Sequence, residues 1–222
     1  MKYFEKTSKE KKKSYKGRNI LVGAGGVTIA ALANPEEQIG VIPRKMSAKI
    51  MKSTKEIKDP RLMEAALKKA KELKVKVDIR KKFAPIGVYE ADSRLVIVGK
   101  NRPATLFHEL GHSVNFKKFQ SLPKLRVGGL KVAPLATLAA AVSKKDSTIS
   151  KVAPYAAAAA IAPTLADEAT ASIRAIKDLK KVKATKTQLS LARKNLGKGF
   201  ATYAIPMAAM VAVPALIRKF KK

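Results

Sequence analysis

Cysteine and tryptophan are absent from this chain, and histidine occurs only twice among its 222 residues. The absence of cysteine excludes disulfides and any metal site or nucleophile that depends on a thiolate. Aromatic residues make up 5% of the sequence, which argues against a stacking platform for single-stranded nucleic acid. A zinc site in this chain would therefore need histidine and carboxylate ligands.

Acidic residues are also scarce, with 16 Asp+Glu against 47 Lys+Arg and a formal net charge of +31. An excess of this size favours anionic partners, either an anionic lipid surface or nucleic acid. Residues 1–18 are polar and basic and are predicted to be a disordered tail. Nucleic-acid binding through this tail is an alternative that only its charge supports, so a lipid surface is the expected partner.

Three segments carry few charges or none. Residues 19–34 are uncharged and are predicted to be either a membrane anchor or a signal-like segment. Residues 127–166 are rich in alanine with a polar break near the middle, which predicts a helical hairpin in a membrane. Residues 199–217 are uncharged and precede a basic end that closes the chain at 222, a pattern typical of a transmembrane helix.

Residues 35–126 are predicted to be a soluble catalytic part of α+β class. Apolar residues recur at helical spacing after Asp59, a suitable N-cap, and alternate with polar ones further on. The predicted elements are a helix over Arg61–Leu73, a strand over Val75–Ile79, and a hairpin with strands Gly87–Glu90 and Arg94–Gly99. This hairpin leads into a helix that starts near Pro103.

Both histidines belong to one H-E-x-x-H motif, which begins at His108 and ends at His112. Residues four apart lie on the same face of a helix, so the two imidazoles can share one metal ion. Glu109 is rotated away from them and can meet a water at the metal, where it would act as general base. The flanking residues are largely uncharged, which suits a buried helix beside a dry cavity.

A third protein ligand is needed for zinc, and it must be an acid because no histidine remains. The acids after the motif are Asp146, Asp167, Glu168 and Asp178. Glu168 is a candidate ligand, and its neighbour Asp167 competes with it. The alternative for Glu168 is a residue near the start of a helix, where the helix dipole favours negative charge. If Glu168 is the ligand, Asp167 is expected to lie near that helix start instead.

The segment Thr105–Val114 resembles the active-site signature of the zincin metallopeptidases. The segment around Glu168 resembles the E-x-x-A-D-x-x-A helix of the gluzincins related to the CaaX-prenyl protease and the bacterial heat-shock membrane zinc protease. Glu168, Ala171 and Ala175 match this helix, while Ser172 stands in place of the aspartate. The resemblance implies zinc on His108, His112 and Glu168, the last carried by a helix within 167–198.

The resemblance also implies a fold and an activity. The fold would be a small zincin-like unit of α+β class combined with Ala-rich, transmembrane helices. The activity would be that of a membrane-associated zinc endopeptidase whose peptide or protein substrate lies along the strand Arg94–Val98. Candidate donors to the oxyanion are Tyr155, Tyr203 and Arg174. A different class remains open: a basic membrane-anchored scaffold or nucleic-acid-binding protein in which the motif is accidental or inactive.

Overall fold

The computed structural model describes residues 54–55, 57–80 and 87–220. The predicted basic tail at 1–18 and the apolar segment at 19–34 lie outside the described residues. The described elements are helices α1 (Pro60–Glu72), α2 (Pro103–Lys118), α3 (Leu122–Val142), α4 (Thr148–Lys181) and α5 (Lys186–Phe220), with strands β1 (Lys76–Arg80), β2 (Val88–Glu90) and β3 (Leu95–Gly99). This mixture of helices with one small sheet is compatible with the predicted α+β class.

The three strands form one sheet in the order β1-β3-β2. β3 runs parallel to β1 and antiparallel to β2, with Val96 opposite both Val77 and Tyr89. The hairpin predicted from the sequence is therefore present. The expectation that the strand Arg94–Val98 offers a free edge to a substrate is wrong, because β3 is the central strand. Its apolar run is buried, as expected for a strand that is covered on both sides, and β2 lies at the edge instead.

One end of the molecule has a core of bulky apolar side chains. Asp59 caps α1, because its carboxylate accepts a hydrogen bond from the backbone N–H of Arg61 at 3.0 Å. The buried side chains of this core come mainly from the sheet, α1, α2, the second half of α4 and the first half of α5, among them Leu62, Val96, Val98, Leu106, Phe107, Leu110, Leu179 and Leu196. We refer to this region as the sheet end.

The other end is built from α3, the first half of α4 and the second half of α5. Its buried core consists mainly of small side chains, namely Ala133, Ala136, Ala140, Ala153, Ala157, Ile161 and Met207. The backbones of α3 and α4 come close together, since a Cβ atom on Gly129 would lie 1.8 Å from the carbonyl oxygen of Ala160. We refer to this region as the hairpin end, because it contains the segment predicted to be a helical hairpin.

α4 is one continuous helix from Thr148 to Lys181, although it contains Pro154 and Pro163. The sequence predicted that the helical hairpin over 127–166 would end at residue 166 and that a separate helix would carry Glu168. Instead, Glu168 lies in the middle of α4. Its first half contributes Ala153, Ala157 and Ile161 to the core of one end, and its second half contributes Ala175 and Leu179 to the core of the other.

Two of the described helices are long and apolar enough to cross a membrane: α3 over its whole length, and α5 over Lys186–Val213. In the most apolar stretches of these helices, only 28% and 11% of the residues are buried. The core helix of a soluble protein would be mostly buried. Both helices therefore keep an apolar surface that the described part of the chain does not cover.

Candidate metal centre

α2 places the two histidines one helical turn apart on its buried side. The Nε2 atoms of His108 and His112 lie 3.2 Å from each other. Gly111 lies between them in sequence, and a Cβ atom there would approach the Cα atom of Ala171 on α4 to 2.8 Å. The small residues at these two positions allow α2 and α4 to pack closely, and this brings the acidic segment of α4 against the imidazoles.

Glu168 completes a group of three potential ligands. Its Oε2 atom lies 3.3 Å from Nε2 of His108 and 3.6 Å from Nε2 of His112. The candidate ligand atoms of the three residues all lie within 4.8 Å of one another, so this group could hold a metal ion. Among the described residues, no other set of His, Asp and Glu side chains comes together in this way.

The other nitrogen of each imidazole has a partner on α4. Asp167 Oδ2 lies 2.9 Å from Nδ1 of His112, and Ser172 Oγ lies 3.2 Å from Nδ1 of His108. When hydrogen is on Nδ1, each ring donates to its partner and both Nε2 lone pairs point towards Glu168. The rings are thus oriented for a metal, as is usual for metal-bound histidines.

The position of Asp167 and Glu168 within α4 corrects one expectation. The alternative interpretation of Glu168, and the placement of Asp167 nearer a helix start, both required a helix that begins just before them. α4 begins at Thr148, several turns upstream, whereas the dipole effect is confined to the first turn. Contacts with the histidines, rather than the helix dipole, are therefore the favourable interactions of these two carboxylates. Ser172, which departs from the family pattern, still contacts His108.

Two polar residues that no sequence motif indicates join this network. Arg126 on α3 donates from Nη2 to Glu168 Oε1 at 2.9 Å, and from Nη1 to Asp167 Oδ2. Asn115 on α2 donates to Asp167 Oδ1 at 2.7 Å. Asn115 follows His112 by three residues, a spacing that puts both on the same side of a helix and could have indicated its position beside the site. Arg126 looked like an ordinary charge beside an apolar segment.

Burial and charge shift the pKa values of these groups. Burial raises the pKa of the Glu109 carboxyl. For His112, burial lowers the pKa, but Glu168 and Asp167 outweigh it and raise the pKa to about 10. For Glu168, burial raises the pKa, but His112 and His108 outweigh it and hold the pKa well below its usual range. When both imidazoles are neutral, the carboxylates of Glu109, Asp167 and Glu168 and the guanidinium of Arg126 together carry two net negative charges. A divalent cation would neutralise this charge.

A cavity of about 240 Å³ opens beside the three candidate ligands. Its lining includes Glu109, Val88 and Tyr89 of the edge strand, and Tyr203 of α5. A Cβ atom on Gly87 would lie 2.6 Å from Glu109 Cγ, so a glycine here leaves space for the Glu109 side chain.

Of the three oxyanion candidates, only Tyr203 lines this cavity. Tyr155 is 76% exposed, and its side chain lies outside the cavity lining. Arg174 donates from Nε to Asn115 Oδ1 at 2.9 Å. The geometry thus brings one of the three candidates to the site and leaves the other two elsewhere.

Comparison of the chain with protein-family models, with curated proteins and with solved structures finds no match. Two imidazole nitrogens and one carboxylate oxygen, each oriented by a second group, form a donor set that suits zinc.

Proposed function

We propose that the chain is a membrane-associated, zinc-dependent metalloendopeptidase. The observation that carries this proposal is the convergence of His108, His112 and Glu168 on one point, with Glu109 buried beside them. Catalytic zinc sites in proteins use three protein ligands and keep one position open. A zinc ion bound here would polarise a water molecule and a substrate carbonyl.

Glu109 is the proposed general base. Its carboxylate would accept a proton from the attacking water and later return it to the leaving amine. Burial raises its pKa, and a raised pKa suits a group that must both accept and donate a proton near neutral pH. Gly87 leaves the carboxylate space to face the cavity. Tyr203 is the proposed donor to the oxyanion, because its side chain lines the same cavity.

The proposed substrate is a peptide that lies along β2. Val88 and Tyr89 line the cavity, and among the described strands only β3 pairs with β2. An extended peptide could therefore pair with the outer edge of β2 through backbone hydrogen bonds. The proposed membrane association comes from α3 and α5, whose apolar surfaces would contact lipid while the basic residues of the chain attract anionic headgroups.

The deciding experiment combines metal analysis with peptide hydrolysis on the full chain purified in mild detergent. The wild type should contain about one zinc per chain and should cleave an unfolded protein substrate. His112→Ala and Glu168→Ala should lose activity and bind zinc weakly or not at all. Glu109→Gln should keep zinc while its hydrolysis falls by a factor of roughly 10² or more.

The rival function, a basic scaffold or nucleic-acid-binding protein, is favoured by the net charge of +31. It predicts salt-sensitive binding to nucleic acid without hydrolysis. A wild-type protein that holds no zinc after gentle extraction, or a Glu109→Gln variant with unchanged turnover, would exclude the peptidase.

A further inference from the structure

Arg126 lies where α3 meets the metal-binding group, and its guanidinium contacts two carboxylates at once. Nη2 donates to Glu168 and Nη1 donates to Asp167. The side chain is 21% exposed, and the guanidinium lies over the ring of Phe116, 5.8 Å from its centroid. A planar fork can hold two oxygens in fixed directions, which the ammonium group of lysine cannot do.

The two oxygens of Glu168 consequently have different partners. Oε2 faces the Nε2 atoms of His108 and His112 at 3.3 and 3.6 Å, whereas Oε1 accepts from Arg126 at 2.9 Å. We propose that Arg126 is a positioning residue that restricts Glu168 to binding the metal through one oxygen, Oε2. This inference depends on the metal site of the proposed function, and it concerns a residue that acts through Glu168.

A single-oxygen contact matters because a catalytic zinc site must keep a coordination position open. If the Glu168 carboxylate turned so that both oxygens faced the metal, the second oxygen would compete for that position. The hydrogen bond from Arg126 to Oε1 opposes this rotation. The other arm of the guanidinium holds Asp167, which in turn orients His112. Arg126 therefore restrains Glu168, which is a proposed ligand, and Asp167, which is the partner of the proposed ligand His112.

A purely structural role for Arg126 makes a different prediction. If the residue only tied α3 to α4, its removal would lower stability and metal affinity together and leave the coordination of any bound metal unchanged. The positioning role predicts instead that the metal stays bound and that its coordination changes. Arg126→Gln removes the charge and the fork, and Arg126→Lys keeps the charge but loses the fork. Lys124→Gln is the matched control, because Lys124 is an exposed cation on the same helix.

The experiment uses the full chain loaded with Co²⁺, whose visible absorption depends on coordination number, together with zinc affinity measured by chelator competition. For Arg126→Gln and Arg126→Lys, we expect zinc affinity within about tenfold of wild type. Their cobalt absorption should fall by roughly two-fold, as expected when a tetrahedral site gains a ligand. Hydrolysis should fall by more than about tenfold in both variants. Lys124→Gln should match wild type in every measurement.

The outcomes separate this inference from the proposed function. A cobalt spectrum of Arg126→Lys that is the same as that of wild type would overturn the positioning role and leave the metal site intact. If Arg126→Gln fails to fold, Arg126→Lys decides by the same criterion. A wild-type chain that takes up neither zinc nor cobalt would overturn the proposed function, and this inference with it.

Discussion

The sheet end and the hairpin end of this molecule distribute their apolar residues in opposite ways. The sheet end buries Leu, Val and Phe side chains, as water-soluble domains do. The hairpin end buries mainly alanine and exposes larger apolar side chains on the outside of its helices, among them Leu125, Val132, Leu135, Leu138, Val142, Ile149, Val152 and Ile205. Small residues inside and large ones outside are typical of helices that pack within lipid.

The candidate metal-binding group, His108, His112 and Glu168, lies between these two ends. α2 supplies the histidines from the sheet end, while Arg126 and Tyr203 come from the two helices that are long and apolar enough to cross a membrane. Glu168 lies in the middle of α4, where that helix passes from one end to the other. The site therefore requires both ends to be assembled, and we expect the two ends to respond differently to the same kind of change.

The largest effect on stability is expected in the core of the sheet end. Leu106 is fully buried among bulky neighbours, so Leu106→Ala would leave a cavity. We expect the free energy of unfolding to fall by about 2–5 kcal/mol, measured by urea unfolding in mild detergent. A loss below about 1 kcal/mol would mean that this core is not tightly packed.

The next test concerns the outer faces of the two ends. Val132 on α3 is 46% exposed, and Ile173 on α4 is 55% exposed but belongs to the sheet-end half of its helix. Val132→Lys should cost about 3 kcal/mol of membrane insertion and release the protein in a carbonate wash. Ile173→Lys should leave membrane retention unchanged. Equal retention of both variants and wild type would contradict a membrane location for the hairpin end.

Two adjacent glycines on α3 test the close packing of the hairpin end. A Cβ atom on Gly129 would clash with the carbonyl oxygen of Ala160, whereas a Cβ atom on Gly128 would meet nothing within 4 Å. Gly129→Ala should lower the free energy of unfolding by about 1–3 kcal/mol. Gly128→Ala should leave it unchanged or raise it by about 0.5–1 kcal/mol, because alanine favours a helix. Identical effects of the two changes would mean that α3 and α4 are not in this close contact.

The sequence predicted some of these features well because their signals are local. The alternation around Val77 and the turn between Glu90 and Leu95 predicted the strands, and the spacing of the histidines predicted their common face. The match of Glu168 and Ala171 to a known helix pattern selected the acid whose carboxylate faces the Nε2 atoms of both histidines.

Other features could not be predicted because they depend on contacts between distant segments. No local signal indicates that β3 lies between β1 and β2, nor that Arg126 reaches two acids on another helix. Asp167 was judged by its position near an assumed helix start, and the real start lies far upstream at Thr148. The length of α4 was missed because the prolines within it predict a break, while packing against α3 keeps the helix continuous.

We expect Asp167 to orient the imidazole of His112, rather than to lie near a helix start as its sequence position suggested. Its carboxylate contacts Nδ1 of His112 at 2.9 Å and accepts from Asn115 at 2.7 Å. Asp167→Ala should lower zinc affinity by about 10–100-fold, since His112 loses the group that orients it. Asp167→Asn keeps the shape and should lower zinc affinity less. Zinc competition measures both, and unchanged affinity in Asp167→Ala would contradict the orienting role.

The smallest expected effect is the pH dependence of metal binding. In the metal-free protein, the carboxylates of Glu168 and Asp167 raise the pKa of His112 to about 10, so this imidazole carries a proton at pH 7. A metal can bind Nε2 only after that proton leaves, so we expect the release of about one proton per ion bound. Zinc affinity should therefore rise by about tenfold per pH unit between pH 7 and 8.

The raised pKa of His112 also determines how the stability of the metal-free protein changes with pH. Because the folded pKa lies above the ordinary value of 6.5, the protonated imidazole stabilises the fold fully below pH 6.5 and loses this contribution as the pH rises through about 10. A bound metal would replace the proton as the partner of Glu168, so added zinc should protect the protein most at alkaline pH. Calorimetric titration in two buffers with different ionisation enthalpies measures the proton release. A zinc affinity that does not change between pH 7 and 8 would show that His112 is already neutral in the metal-free protein.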